Sequence, residues 1–265
     1  MTGSPSTHLD AIVDGVREEL EARKRTVSFD EIAGRAAANK RVRRIGGRLA
    51  AARPGIIAEI KRASPSKGWI ARDLDPVATA LAYARAGACA ISVLTEGRRF
   101  GGSLADLEAV SAAVDDTPVL RKDFVLDEYM IAEARAYGAD LVLLMVSVLG
   151  DRTAGMLETA GRYGLDALVE VHDEAELAIA LDAHAGIVGI NNRNLKTLAV
   201  DLDTSGRLLP MIPPRIVKVV ESGITSAVDV RRFASLGADA FLVGETLIRS
   251  GDPASEIGRL LSRND

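Results

Sequence analysis

Short apolar runs recur along the chain, each preceded by a helix-like segment and a glycine. The runs "ARAGACAISVL" (84–94), "ARAYGADLVLLMV" (134–146), "GRYGLDALVEV" (161–171), "AHAGIVGI" (183–190) and "FASLGADAFLV" (233–243) share this form. The glycine suits the left-handed position that ends a helix. The run after it is nearly continuous rather than alternating, as expected of a parallel strand covered on both faces. "GIIAEI" (55–60), "PVLRKD" (118–123) and "RIVKVV" (215–220) bring the candidate strands to eight. Their spacing averages about 26 residues, enough for a strand, a helix and two short loops. Helical periodicity fills the gaps, as in "DPVATALAYARA" (75–86), "DEYMIAEARAY" (127–137) and "DEAELAIALDA" (173–183). Eight strand-then-helix units predict an α/β fold, a closed (β/α)8 TIM barrel. A doubly wound open sheet is the alternative, but such sheets rarely present eight evenly spaced strands.

The first 48 residues stand outside this repeat. Leu9, Ile12, Val13, Val16 and Leu20 form one apolar stripe at helical spacing. Ser28 to Glu31 resembles a capping box that opens a second helix. A stripe must be buried, so residues 1–48 are expected as an N-terminal helical extension packed on the barrel. Residues 49–265 are expected to form the single barrel.

Composition narrows the function. The net charge of −4 leaves no global basic field for nucleic acid. The basic runs "EARKRT" and "NKRVRR" read as a solvated helix face. Aromatics are only 4% of the chain, so the core must be built from Ala, Val, Leu and Ile. A lone cysteine, Cys89, excludes an internal disulfide and a cysteine zinc site. The start "MTGSPSTHLDAIVDG" has no secretory pattern, and no apolar stretch reaches the ~18–20 residues that span a bilayer. A cytoplasmic protein is expected.

In such barrels the chemistry sits where the strands end. The first strand ends in Glu59 and Lys61, two residues apart and therefore on one face. The third ends in Arg121, Lys122 and Asp123, and the fifth in Glu170 and His172. The sixth ends in Asn191, Asn192 and Arg193, the seventh in Glu221, Ser222 and Gly223, and the eighth in Gly244 and Glu245. Any one of these could be a rim charge. Gathered at most of the strand ends, they imply mutual pairing or a ligand, because burying unpaired charge is costly. "ESGI" and "VGET" occupy the two loops where many barrels hold phosphate on backbone amides. Metal is not expected, since His172 has no second histidine at ligand spacing and reads as a rim residue. No nucleotide-binding motif is present. Trp69 reads equally as a lid residue or as packing on a helix, and Phe100 as a stacking surface or a loop anchor.

Together "AEIKRASPSKG", "SVLTEGRRFGGS", "VLRKDF", "LVEVH", "GINNRNL", "VESGI" and "FLVGETL" resemble the strand-end motifs of the indole-3-glycerol phosphate synthase family, over essentially the whole chain. The resemblance implies a carboxy-lyase of tryptophan biosynthesis that needs no cofactor or metal. Its substrate would be a small phosphorylated molecule, 1-(2-carboxyphenylamino)-1-deoxyribulose 5-phosphate. Carried over, Lys122 is the general acid of ring closure, and Lys61 holds the substrate carboxylate. Glu170 is the base of dehydration, Glu59 assists at the departing hydroxyl, and Asn191 positions Glu170. Ser222 with the amides of Gly223, Gly244 and Glu245 binds phosphate. Arg193 and Ser64 add anion contacts, and Phe100 packs on the aromatic ring. An acidic Glu245 beside phosphate must turn its side chain away. No membrane or nucleic-acid partner is implied, a monomer is favoured, and no fused isomerase domain is expected after the eighth strand. The rivals are a phosphosugar isomerase barrel, which would need an Asp or Cys on the first strand and an Asp on the fifth, and a non-catalytic anion-binding barrel.

Overall fold

A computed structural model describes residues 7–51 and 53–262, so the opening hexapeptide and the last three residues lie outside it. The eight apolar runs become β1 (Gly55–Ile60), β2 (Ala90–Leu94), β3 (Val119–Lys122), β4 (Leu141–Met145), β5 (Asp166–Val171), β6 (Ile187–Asn191), β7 (Val217–Glu221) and β8 (Ala240–Val243). Neighbours pair in parallel in chain order. β1 also pairs with β8, from Gly55↔Ala240 to Ala58↔Val243, and this closes the TIM barrel.

The helices are α1 (His8–Thr26), α2 (Phe29–Ala38), α3 (Ile45–Ala51), α4 (Pro76–Arg85), α5 (Leu104–Ala113), α6 (Glu128–Ala136), α7 (Val146–Leu149), α8 (Thr153–Arg162), α9 (Glu174–Asp182), α10 (Asp203–Leu208), α11 (Ala227–Ser235), α12 (Glu245–Ser250) and α13 (Pro253–Leu260). Asp75, Ser103, Asp127, Asp173 and Ser226 each cap a helix by accepting a backbone N–H from its first turn. Gly87, Gly138, Gly164 and Gly237 take positive φ after their helices, as expected. Gly186 does not. His184 fills the left-handed position after α9 instead, at φ 59°. At Ser28 the hydroxyl accepts from the Glu31 N–H, which is one half of the expected capping box.

The stripe of α1 buries Leu9, Ile12, Val16 and Leu20 in the same apolar cluster as the barrel strands. The helix lies over the ends of β2 and β3. Arg98, after β2, holds Glu18 and Glu19 at 2.9 and 2.8 Å, and Lys24 meets Asp127 at 2.5 Å. Arg23 bonds Glu133 of α6 at 2.8 Å. The chain then passes to the opposite end of the barrel. There Arg43 pairs with the buried Asp140 at 2.6 Å and also bonds Ser111 and the carbonyls of Val114 and Gly138. Arg41 binds the Val114 carbonyl, and Arg44 pairs with Asp166 at 2.6 Å. The two basic runs are therefore clamps, not a solvated helix face, and residues 39–44 are not helical at all. Their spacing hid this because the acceptors lie far off in sequence. The division expected at residue 48 falls inside α3.

Candidate active site

A chamber of about 930 Å³ opens at the strand C-termini. It lies at the upper end of the range of roughly 300–1,000 Å³ that small-molecule sites occupy. Its wall includes all twelve candidate residues: Glu59, Lys61, Ser64, Phe100, Lys122, Glu170, Asn191, Arg193, Ser222, Gly223, Gly244 and Glu245. Ile12 of α1 also reaches the wall, so the extension covers this end of the barrel.

The strand period places the central groups. Glu59 is buried on β1, and its carboxylate meets Lys61 Nζ at 2.6 Å. Lys122, at the end of β3, points inward between two buried carboxylates. Its Nζ stands 3.3 Å from Glu170 of β5 and 3.5 Å from Glu221 of β7. Its neighbour Arg121 does not reach the chamber, while Asp123 lies on the wall and turns to Arg121. The Arg121 guanidinium is buried among Asp123 at 3.1 Å, Glu133 at 2.9 Å and the Met130 carbonyl. It ties the strand end to α6, and through Glu133 and Arg23 to α1.

The site holds more carboxylate than cation at its centre. Burial opposes the charge on Lys122, but Glu170, Glu221 and Glu59 outweigh it and raise the ammonium above its ordinary value. Burial likewise pushes Glu170 up, yet Lys122, His172 and Asn191 bring it below the usual carboxylate range. Glu221 goes the other way. Burial raises it, Lys122 opposes, and Glu170 and Glu59 add, so its carboxyl is pushed up to about 8. Neither Glu221 oxygen has a hydrogen-bond partner among the described residues. The pair therefore divides into an ionised Glu170 and a proton-carrying Glu221.

Two glycines make room for the carboxylates. A Cβ at Gly189 of β6 would collide with Glu221 Oε1, and one at Gly244 would come within 2.5 Å of Glu59 Oε1. Gly244 thus makes room for the Glu59 carboxylate.

The ends of β7 and β8 line the chamber beside the carboxylates. Ser222 and Gly223 both have positive φ, 64° and 84°. A serine there costs about 1–3 kcal/mol unless its surroundings fix it. Asn192 does the fixing: its Nδ2 donates to the Ser222 carbonyl at 3.0 Å, and its Oδ1 accepts from the N–H and hydroxyl of Ser205. The Glu245 carboxylate turns along its own helix to Arg249 at 3.0 Å. The Arg193 guanidinium bonds the Leu198 carbonyl while lining the chamber.

The loops after β1 and β2 are fastened to each other. Arg62 pairs with Asp106 at 2.6 Å and bonds the Gly101 carbonyl. Glu96 accepts the N–H groups of Arg98, Arg99 and Phe100, which sets the Phe100 ring 6.2 Å from Phe124. Trp69 belongs to a small hairpin, Ala63–Ser64 against Gly68–Trp69, and its ring lies against Gly101 with Arg72 stacked 4.5 Å away. It packs on the β2 loop rather than on a helix. His172 is half-buried just past the end of β5. Its Nδ1 meets Glu176 at 2.9 Å, and its buried Nε2 faces Glu170.

Sequence reading named Glu221 and Asn192 as strand-end groups without giving either a role. Glu221 was masked by the phosphate reading of "ESGI". The signal available was an acid directly ahead of that serine, at the end of a strand whose other residues are apolar.

The chain matches the model of the family described as indole-3-glycerol phosphate synthase over residues 9–260. It belongs to that family. An indole-3-glycerol phosphate synthase of Parafrankia sp. is 51% identical over 96% of this chain and 95% of its own. One of Nocardioides sp. is 52% identical over 95% and 97%. Among solved structures, 3-hexulose-6-phosphate synthase from Salmonella typhimurium superposes with a TM-score of 0.63 at 17% identity, covering 78% of this chain and 96% of that one. A tryptophan synthase alpha-subunit mutant from Pyrococcus furiosus gives 0.58 at 16%, covering 79% and 98%. These two likenesses show the barrel alone. The chamber wall carries Lys61 and Lys122 beside Glu59, Glu170 and Glu221. Among the described residues no helix is long and apolar enough to cross a membrane, and no acid, histidine and cysteine cluster could hold a metal ion.

Proposed function

We propose that the chamber converts 1-(2-carboxyphenylamino)-1-deoxyribulose 5-phosphate into indole-3-glycerol phosphate, the reaction of its family, with the candidate residues in the following roles. The observation that carries the reading is Lys122, one ammonium between the buried carboxylate of Glu170 and the buried carboxyl of Glu221 at 3.3 and 3.5 Å. An amine so placed is protonated before substrate arrives, ready to meet negative charge as it develops on an oxygen. As the ring carbon bonds to the ketose carbonyl carbon, the carbonyl oxygen takes a proton from Lys122 and becomes a hydroxyl. The carbon–carboxylate bond then breaks, CO₂ leaves, and its electron pair restores the aromatic ring. Loss of water completes the pyrrole. Glu170 takes the carbon-bound proton, and the Glu59–Lys61 pair assists the departing hydroxyl.

Lys61 also holds the substrate carboxylate until it leaves, with Ser64 on the same loop. Asn191 orients Glu170. The phosphate lies on the Ser222–Gly223 turn and the amides of Gly244 and Glu245, with Arg193 beyond. Phe100 covers the aromatic ring. The consecutive positive φ angles of Ser222 and Gly223 support the phosphate role, because such a turn aims successive N–H groups at one point. A monomeric enzyme working in the cytoplasm is part of the same proposal.

Mixing the purified protein with the carboxyphenylamino substrate is expected to give indole absorbance and fluorescence, with or without EDTA. No product, or a rate abolished by EDTA, would contradict the reading. Lys122→Met is expected to lose about 10²–10⁴-fold in kcat with KM little changed. Normal turnover in that variant would remove the assignment of the acid.

A further inference from the structure

His172 takes no part in the roles assigned above, yet it is built into the site from two sides. Its backbone N–H donates to Glu176 Oε2 at 2.8 Å, and its ring Nδ1 meets the same oxygen at 2.9 Å. Glu176 is itself held in the first turn of α9, where its N–H donates to Asp173. The opposite ring nitrogen, Nε2, is buried and lies 3.4 Å from Glu170 Oε1. Neither of those two atoms has a hydrogen-bond partner elsewhere among the described residues. The other oxygen of Glu170, Oε2, faces Lys122. Glu170 thus has a hydrogen-bonded basic group at one oxygen and a second basic group facing the other at ion-pair distance.

We propose that His172 is a positioning residue acting through Glu170: Glu176 fixes its ring, and the ring fixes Oε1 of Glu170 while Lys122 attends Oε2. This rests on the reading of Glu170 as the base. Its value lies in a division of labour. Lys122 must give up its proton during ring closure and so cannot serve as a constant counter-ion for Glu170. A His172 ring that carries its proton at the other oxygen can, because no step assigned above removes that proton. It keeps Glu170 ionised for the dehydration that follows.

The charges around the ring agree. The groups that act on it are Glu176 from α9, Glu170 from its own strand and Glu221 from β7. Burial would lower the imidazole, but the Glu176 bond and the charges of Glu170 and Glu176 raise it above the ordinary histidine value, with Glu221 adding whenever it is ionised. Glu170 in turn feels Lys122 from β3, His172 and Asn191 as groups that favour its ionised form. A simple loop anchor would need only the Glu176 contact.

The pH dependence of kcat separates the two possibilities. In His172→Gln the acidic limb is expected to move up by about one pH unit, the shift due to a lost opposite charge at this distance. Substrate KM should stay within about twofold. Glu176→Gln should move the limb in the same direction by less. The chain has three histidines, so the His172 ring can be followed by nuclear magnetic resonance, with His172→Gln supplying the assignment. The ring is expected to titrate above the ordinary histidine range in the parent and to fall in both Glu176→Gln and Glu170→Gln. An unmoved acidic limb in folded His172→Gln, with Glu170→Gln inactive, would overturn the proposal while leaving Glu170 as the base. Full turnover by Glu170→Gln would remove the base reading, and the proposal with it.

Discussion

Glu221 binds a proton on folding that the unfolded chain would release. Its ordinary value is 4.5, and burial, opposed by Lys122 and reinforced by Glu170 and Glu59, lifts it to about 8. The sign follows from which state holds the proton. Its contribution to stability is full below about 4.5, and it is lost as pH rises through about 8. Glutamine reproduces the neutral form at every pH. Glu221→Gln is therefore expected to unfold near the parent temperature at about pH 5 and above it at about pH 9. In a chain of this size each kcal/mol moves the midpoint by roughly 2–4 °C. Thermal unfolding of the two proteins at both pH values checks this, and a gap that does not widen with pH would contradict it. Gly189 belongs to the same account. Its missing side chain is the space that the Glu221 carboxylate fills, so its place within an apolar run reflects a neighbour on the next strand.

The turn after β7 depends on the loop after β6. Asn192 holds the Ser222 carbonyl and Ser205 together, and it fixes a serine in a left-handed conformation. Asn192→Ala removes a bond worth about 1 kcal/mol and frees that turn. The expected result is KM raised by about tenfold, weaker competition by inorganic phosphate, and kcat within about twofold. Losses confined to kcat would mean that the turn does not hold the phosphate. The elements themselves could be read from sequence because each barrel strand is a continuous apolar run and each helix carries its own cap. The charged candidates on the chamber wall were legible for a related reason: a charged group at the end of such a run is conspicuous, whereas Ser64 and Phe100 were picked out by the family's loop motifs. Glu221 was conspicuous too, but its burial between two other acids is a property of three strands at once. His172 and the arginines of "NKRVRR" escaped similarly, since Glu176 is near in sequence but Glu170's open oxygen, Asp140 and Ser111 are visible only in space.

The two ends of the barrel have different work. Charges at the strand C-termini surround the chamber, while Arg43–Asp140, Arg44–Asp166 and Arg53–Asp239 fasten the other end. Arg43 and Asp140 are both buried, so removing one partner leaves an uncompensated charge, at a cost of about 3–5 kcal/mol. Arg43→Ala is expected to lower the unfolding midpoint by roughly 10 °C and to leave kcat and KM at 25 °C close to the parent values. A kinetic defect matching the thermal one would mean that the two ends are coupled.

α1 makes its bonds with partners far along the chain, Arg23 to Glu133 at a separation of 110 residues and Lys24 to Asp127 at 103. On a ribosome adding about 5–20 residues per second, those partners emerge roughly 5–20 s after the helix does. For that interval Leu9, Ile12, Val16 and Leu20 have no barrel to lie against. The helix that later roofs the chamber is, during synthesis, a greasy ribbon waiting in water, and the nascent chain is most exposed to chaperones and to its own neighbours before β3 and α6 arrive.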